Sequence, residues 1–174
     1  MSVLSANSIR KIQPVTPFVE RGVFNGLSYG LSLASYDIRI DQDIFMKPNS
    51  FCLNSSMERF KMPKNVIAEV KDKSSLARQG IHVLNTVIEP GWEGYLTLEL
   101  NMANVQYRTP DVRFAGIQLF KGQPIAAVMF YWVDEETPGY QGKYQNQEAG
   151  PQGARFELTK STNRQTEFDF EQED

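Results

Sequence analysis

The sequence predicts a mainly β domain, a barrel or sandwich that carries one short N-terminal helix. Leucines alternate with polar and aromatic residues over 95–100, which is the period of a strand buried on one face. Residues 125–133 form an almost uninterrupted apolar run of strand length. Turn signals, among them Pro90-Gly91, separate short segments, and closely spaced short strands are typical of closed or two-layered β folds.

The individual elements follow from local patterns. Residues 5–12 are predicted as a helix, because Ile9 and Ile12 form an i, i+3 apolar pair and Ser5 or Asn7 can cap the first turn. The remaining predictions are a single helical turn over 74–79 and strands over 36–40, 65–70, 95–100, 112–120 and 125–133.

Length and composition favour a single domain. The chain has 174 residues, of which 41% are hydrophobic and 22% charged, which suits one core in an ordinary globular protein. We expect this domain to cover residues 1–160. Residues 137–152 are rich in Gly, Gln and Tyr, so we expect a mobile lid there. Residues 161–174 end in an acidic run and predict a frayed tail.

Charge and segment patterns argue against two classes of partner. A net charge of −3 argues against a general nucleic-acid binder, which presents a basic surface. No apolar run approaches the ~20 residues of a membrane span, and the N-terminus lacks a signal-peptide pattern. We therefore expect no nucleic-acid partner and no membrane partner. The single cysteine, Cys52, cannot form an internal disulfide and favours a cytoplasmic location.

A zinc site is not expected either. Zinc usually takes three or four Cys, His or carboxylate ligands, and the chain has one histidine, His82, and one cysteine. The zinc-hydroxide route to nucleobase deamination therefore does not fit this composition, and no residue is assigned as a metal ligand.

The densest cluster of reactive residue types lies at 73–78. Two adjacent serines stand between two cations, Lys73 and Arg78, an arrangement that can hold a phosphate chain. Two carboxylates follow, Glu89 beside a turn and Glu99 on the polar face of a predicted strand. On chemistry alone, the serines could equally cap a helix, and a glutamate on a polar face is more often solvated than catalytic.

Six motifs, in order, resemble the dCTP deaminase branch of the dUTPase-like superfamily. The segment 34–40 is similar to Ala-Ser-Tyr-Asp-Leu-Arg-Leu, 74–78 to the phosphate motif Ser-Ser-Leu-Ala-Arg, and 88–94 to Ile-Asp-Pro-Gly-Phe/Trp-x-Gly. The other matches are the opening segment 4–12, the turn 121–126 and the C-terminal Lys-Tyr-x-x-Gln…Gly-Pro…Arg pattern over 143–155. Together these motifs span most of the chain, from residue 4 to residue 155.

The resemblance implies a fold, an assembly and a reaction. The family fold is a distorted β-barrel or jelly roll, assembled as a homotrimer with active sites between subunits. The implied reaction is hydrolytic deamination of dCTP to dUTP and ammonia, metal-free at the base, and further hydrolysis to dUMP and pyrophosphate is left open. Mg²⁺ would arrive bound to the nucleotide triphosphate, because it prefers phosphate oxygens and water as ligands.

Residue roles are carried over from the family onto matching positions. Glu99 matches the glutamate that activates water, Ser74 and Arg78 support the catalytic centre, and Glu89 matches an acid that contacts the sugar 3′-hydroxyl. The residues expected to bind the nucleotide are Lys73, Ser75, Leu76, Ala77, Asn85, Glu89, Thr97, Leu98, Tyr140, Lys143 and Gln147.

At several positions this sequence differs from the family motifs, so two other functions remain alternatives. Leu84-Asn85 stands where the deaminases carry Thr-Ala, and Val87 stands where they carry Arg or an aromatic residue. The segment 80–89 also resembles the dUTPase motif Gly-Ile-Asp-Val-x-Ala-Gly-Val-Ile-Asp. A dUTPase-like nucleotide pyrophosphatase that uses Glu89 is therefore the alternative. A catalytically silent nucleotide-binding regulator on the same scaffold is a third possibility.

Overall fold

A computed structural model describes residues 2–84, 86–104 and 116–156. These residues form two short helices and thirteen strands, which confirms a mainly β fold with a short N-terminal helix. In chain order the elements are β1 (Ser2–Val3), α1 (Ala6–Ile12), β2 (Val15–Thr16), β3 (Gly22–Phe24), β4 (Leu27–Leu31), β5 (Tyr36–Arg39), β6 (Ile44–Met46), β7 (Ser50–Lys61), β8 (Val66–Asp72), α2 (Ser74–Ala77), β9 (Ile81–Val83), β10 (Val87–Ile88), β11 (Glu93–Met102), β12 (Ile117–Leu119) and β13 (Pro124–Trp132).

Two antiparallel sheets enclose the core. The larger runs β10-β8-β13-β5-β4-β3, with β1 added to β13, and the second runs β2-β7-β11-β9. A separate two-stranded sheet joins β12 to β6. Side chains of both large sheets meet in one hydrophobic core, for example Ile38 and Val128 of the larger sheet with Phe60 and Leu98 of the other. The larger sheet curls, so the domain is a half-barrel of two packed layers.

The segments with alternating hydrophobic residues form strands in the structure, as the sequence predicts. In β8, Val66, Ala68 and Val70 are fully buried and alternate with partly exposed residues. The leucines of β11 alternate in the same way with partly exposed neighbours. The helix α1 begins after Ser5, although no side-chain hydrogen bond caps it. Of the strand predicted over 112–120, residues 112–115 lie outside the described part of the chain, as do 157–174.

The apolar run at 125–133 became a central strand with two unlike faces. β13 lies between β8 and β5, and Ile125, Ala126, Val128 and Phe130 are buried. Its other residues after Ala126 are partly exposed in the protomer. One face of β13 is therefore buried in the core of the protomer, and the other is partly exposed.

The longest strand, β7, was missed because its middle is polar. Asn54, Ser55, Ser56 and Glu58 are all buried, so no hydrophobic alternation marks the strand. Each of these polar groups is satisfied by a partner; Ser56 Oγ, for example, donates to Glu58 O at 2.7 Å and accepts the Leu96 N–H at 2.9 Å. Buried polar groups of this kind are stable when they are hydrogen-bonded, and hydropathy does not reveal them.

The β3–β4 hairpin was also missed, although its signal is present. Asn25 and Gly26 connect the two strands and have φ angles of 48° and 77°. Asn-Gly is the preferred pair for a two-residue hairpin that needs positive φ at both positions. The Asn25-Gly26 pair therefore encodes this turn.

Candidate active site

A pocket of about 450 Å³ opens beside β11 and contains five of the predicted site residues. Glu89, Thr97, Glu99, Tyr140 and Gln147 all line it. They come from β11, the turn after β10 and the C-terminal segment, which are up to fifty-eight positions apart in the chain, counting from 89 to 147. The volume lies within the ~300–1,000 Å³ of small-molecule sites.

Glu99 occupies the centre of the second sheet. Its strand β11 pairs with β7 on one side, where Leu53 stands directly opposite Glu99, and with β9 on the other. The Leu84 N–H donates to the Glu99 carbonyl at 2.9 Å, so the sheet register continues and places Leu84 beside Glu99 on the same face. Burial among such neighbours raises the pKa of the Glu99 carboxyl above its ordinary value.

The C-terminal segment docks onto β11 in the same protomer and covers the pocket. The Asn146 N–H donates to Glu93 O at 2.8 Å, and the Tyr95 N–H donates to Gln147 O at 2.9 Å. The Gln147 amide donates to Thr97 Oγ1 at 2.6 Å, and the Trp92 indole N–H donates to Tyr144 O at 2.8 Å. Residues 137–152 therefore contact β11 and the turn before it here, and their role as a mobile lid stays a prediction.

Two glycines of the 88–94 motif make this docking possible. Gly91 and Gly94 have φ angles of 76° and 147°. A Cβ on Gly91 would lie 2.7 Å from the Cα of Gly139, and a Cβ on Gly94 would lie 2.7 Å from the backbone nitrogen of Gln147. These glycines are therefore required by the close approach of the segment over the pocket, as well as by their backbone angles.

The predicted phosphate motif lies apart from this pocket. Ser74, Ser75 and Arg78 are exposed, whereas Leu76 is 2% exposed and packs in the core. None of 73–78 lines the pocket that contains Glu99. One protomer therefore brings together the carboxylates and the lid residues, but it does not bring the cation and hydroxyl cluster to them.

Lys73, the residue before α2, and the two charged residues of β5 take part in two ion pairs. Lys73 Nζ lies 2.5 Å from Asp37 Oδ2, with 11% and 14% of the two side chains exposed. Arg39 Nε lies 2.7 Å from Glu58 Oε1. Asp37 and Arg39 of the Ser-Tyr-Asp motif thus have structural partners, and Lys73 is already neutralised by one of them.

The remaining predicted residues have different surroundings. Leu98 is fully buried in the core, so its side chain is not free to touch a ligand. Lys143 Nζ donates to the Arg155 carbonyl and lies 5.4 Å from the centre of the Tyr144 ring. Asn85 lies outside the described residues.

Sequence reasoning missed the apolar lining of the pocket. Phe51, Leu53 and Val87 line it, together with Trp92 and Leu96. Phe51 and Leu53 belong to β7, which was not recognised as a strand, so no pattern connected them to Glu99. The pairing of Phe51 with Asn101 and of Leu53 with Glu99 is what places them there.

Within 2–84, 86–104 and 116–156, no three His, Cys, Asp or Glu side chains are grouped to hold a metal ion. Neither of the two described helices has the length and apolar character needed to cross a membrane.

The architecture is that of the dUTPase-like fold. It superposes on the native EIAV dUTPase with a TM-score of 0.51 at 16% identity, covering 76% of this chain and 98% of that one. It also superposes on a deoxycytidine triphosphate deaminase from Agrobacterium tumefaciens with a TM-score of 0.52 at 16% identity, covering 73% of this chain and 46% of that one. Identities this low define the fold class alone.

Sequence comparison identifies the family within that class. The family model described as dCTP deaminase-like matches residues 19–131. The dCTP deaminase of Nautilia profundicola is 32% identical over 74% of this chain and 80% of its own length. That of Acidobacterium capsulatum is 30% identical over 77% of this chain and 87% of its own length. The chain belongs to the dCTP deaminase-like family, and it is an enzyme of the dCTP deaminase type.

Proposed function

We propose that this protein hydrolyses dCTP to dUTP and ammonia, with Glu99 as the group that activates water. The observation that supports this most is the position of Glu99, a half-buried carboxyl with a raised pKa inside a lidded pocket. General bases work best when their pKa lies near the operating pH. Family membership supports the reaction type.

The proposed chemistry uses one carboxyl as a proton shuttle. Ionised Glu99 removes a proton from water as the water oxygen bonds to C4 of cytosine. The protonated carboxyl then delivers that proton to N3, which gives a tetrahedral intermediate. A proton from the added hydroxyl passes to the amino group, the bond between C4 and nitrogen breaks, and ammonia leaves. The docked segment over the pocket keeps bulk water away from these transfers.

Binding of the sugar and the phosphates is assigned to residues at the edges of the site. Glu89 lines the pocket and would accept a hydrogen bond from the sugar 3′-hydroxyl. Ser74, Ser75 and Arg78 are exposed donors suited to a phosphate chain. This donor set fits the anion and not a metal, so Mg²⁺ would enter with the triphosphate, coordinated by phosphate oxygens and water.

We further propose that a second copy of the chain completes the site within a homotrimer of single-domain subunits, in the cytoplasm. The exposed cluster at 73–78 is separate from the pocket that contains Glu99. A site that draws these two halves from different subunits would unite them.

Mixing two inactive variants tests this shared site. Glu99→Gln and Arg78→Ala trimers, each inactive alone, should regain activity after joint refolding. If each site takes Glu99 from one subunit and Arg78 from its neighbour, about a quarter of sites in a random 1:1 mixture are intact. Product formation measures the recovery, and light scattering measures the mass. A mixture as inactive as its components, or a mass of one or two chains, would contradict the shared site.

Acidification should inactivate the enzyme at a pH above that expected for an ordinary glutamate. The base must be ionised, and burial raises the pKa of Glu99, so kcat/KM should rise with pH through an acid limb above about 4.3, the ordinary value for Glu. Steady-state rates from pH 4 to 9, with the fold monitored by circular dichroism, measure this limb. An acid limb at or below the ordinary value in a folded protein would remove Glu99 as the base.

The experiment that tests the function is product analysis. The purified protein is incubated with each deoxynucleoside triphosphate and Mg²⁺, and dUTP, dUMP, pyrophosphate and ammonia are separated and quantified. Ammonia and dUTP from dCTP are expected. The second candidate, a nucleotide pyrophosphatase that uses Glu89, is favoured by the presence of that carboxyl in the same pocket. Release of pyrophosphate from dUTP without any ammonia from dCTP would select it.

A further inference from the structure

Three apolar side chains that line the Glu99 pocket remain partly exposed. Phe51 is 57% exposed and Val87 is 49% exposed, and both line the pocket. Leu53, directly opposite Glu99 in the β7–β11 pairing, lines it as well. We call Phe51, Leu53 and Val87 the apolar wall. Apolar surface inside a binding pocket favours a ligand that covers it with an apolar group.

Other residues that line the pocket are polar. Thr97, Gln147 and Gln152 line it, and the Gln152 N–H and the Gln147 amide both donate to Thr97 Oγ1. A pyrimidine ring has both kinds of edge: O2 and N3 form a polar edge, whereas C5 and C6 form an edge of carbon atoms. In the proposed reaction N3 takes its proton from Glu99, and Leu53 of the apolar wall lies directly opposite Glu99, so the carbon edge can lie against the wall.

The position of C5 makes this contact relevant to specificity. C5 is bonded to C4, the atom that water attacks, so a group on C5 lies close to the carboxyl that activates the water. The cross-strand neighbours of Glu99 are Leu53 and Leu84, whose side chains have no polar atom that a methyl group would desolvate.

Resting on the proposed function, we propose that the apolar wall selects a cytosine nucleotide with a methyl group on C5, so that the preferred substrate class is the 5-methylcytosine deoxynucleoside triphosphate. The reaction is the same hydrolysis. The water oxygen bonds to C4, the bond between C4 and the exocyclic nitrogen breaks, and ammonia carries the nitrogen away. The product is the thymine deoxynucleoside triphosphate, with its phosphates intact and no change in oxidation state.

Comparison of two substrates on the purified full chain tests the proposal. The values of kcat/KM for 5-methyl-dCTP and dCTP are measured by chromatography of the products with Mg²⁺ present. The ratio should favour the methylated nucleotide by roughly 4-fold or more, which is what one additional buried methyl group contributes. Val87→Thr keeps the β-branched shape but replaces a methyl group with a hydroxyl, so the ratio should fall toward one.

Val23→Thr is the matched control. Val23 is 68% exposed on β3 and does not line the pocket, so the same chemical change there should leave the ratio unaltered. Deamination of dCTP with a ratio of one or less would overturn the inference and leave the proposed function standing. An unchanged ratio in folded Val87→Thr would overturn the role of the wall. No ammonia from either nucleotide would overturn both the inference and the proposed function.

Discussion

Replacement of Glu99 by Gln is expected to lower deamination by about 10²- to 10⁴-fold, the usual contribution of a general base. Gln keeps the shape of the side chain and cannot accept the proton of the attacking water. Nucleotide affinity should stay close to that of the unchanged protein. The residues of 73–78, which are proposed to bind the phosphates, lie outside the pocket that contains Glu99 and are not altered by this substitution. Product chromatography measures the rate, and isothermal titration calorimetry measures the affinity.

Glu69→Gln is the matched control for this variant. Glu69 lies on β8, is paired with Lys71 and does not line the pocket, so its replacement should leave the rate unchanged. Burial raises the pKa of Glu99, which means that the ionised side chain is a cost to the fold at neutral pH and not a benefit. Glu99→Gln should therefore unfold at the same temperature or slightly higher. Near-normal turnover in Glu99→Gln would eliminate the proposed mechanism.

Replacement of Glu58 by Gln is expected to lower the free energy of unfolding by about 3–5 kcal/mol, the usual effect of removing one partner of a buried ion pair. Glu58 is completely buried, and Arg39 is 12% exposed. Both carboxylate oxygens are used, since one accepts the Arg39 backbone N–H at 2.9 Å and the other accepts Arg39 Nε at 2.7 Å. The NH₂ group of Gln would face either the Arg39 backbone N–H or Arg39 Nε, so two hydrogen-bond donors would meet. The positive charge of the guanidinium would also lose its buried counter-ion.

Two comparisons separate this explanation from general damage to the core. Glu20→Gln breaks the exposed Arg10–Glu20 pair, and because exposed pairs contribute little it should leave the urea midpoint nearly unchanged. Burial raises the pKa of Glu58 despite the adjacent Arg39, so removing both charges should be tolerated far better than removing one. The double variant Arg39→Met/Glu58→Leu should recover much of the stability. If it is no more stable than Glu58→Gln, the uncompensated cation is not the cause.

Local pattern was sufficient for the parts of this protein that are periodic. The alternation of β8 and β11 marked both strands and set Glu99 apart from the buried leucines. The helical turn at α2 and the helix α1 also followed from short-range signals. Such signals work because a side chain's direction is set by the geometry of its own element.

The hydrophobic pattern did not reveal β7, because polar residues are buried in the middle of this strand. The polar residues in the middle of β7 are buried, and the register of β7 against β11 shifts between Tyr95 and Thr97. That shift is a tertiary feature, and Glu58 lies within it, between Ser55 and Arg59. Without β7, neither the partner of Arg39 nor the apolar wall beside Glu99 could be predicted.

The sequence by itself determined the fold class, because alternation and turn signals depend on residue type and short-range spacing. Its motifs carried the family resemblance, and that resemblance singled out Glu99 as the candidate base. The tertiary structure decided what surrounds that base. It placed Leu53 opposite Glu99 across the β7–β11 ladder, brought Gln147 onto Thr97 and joined Lys73 to Asp37. These contacts link positions from 36 to 50 residues apart, and only the packing of distant strands brings such positions into contact.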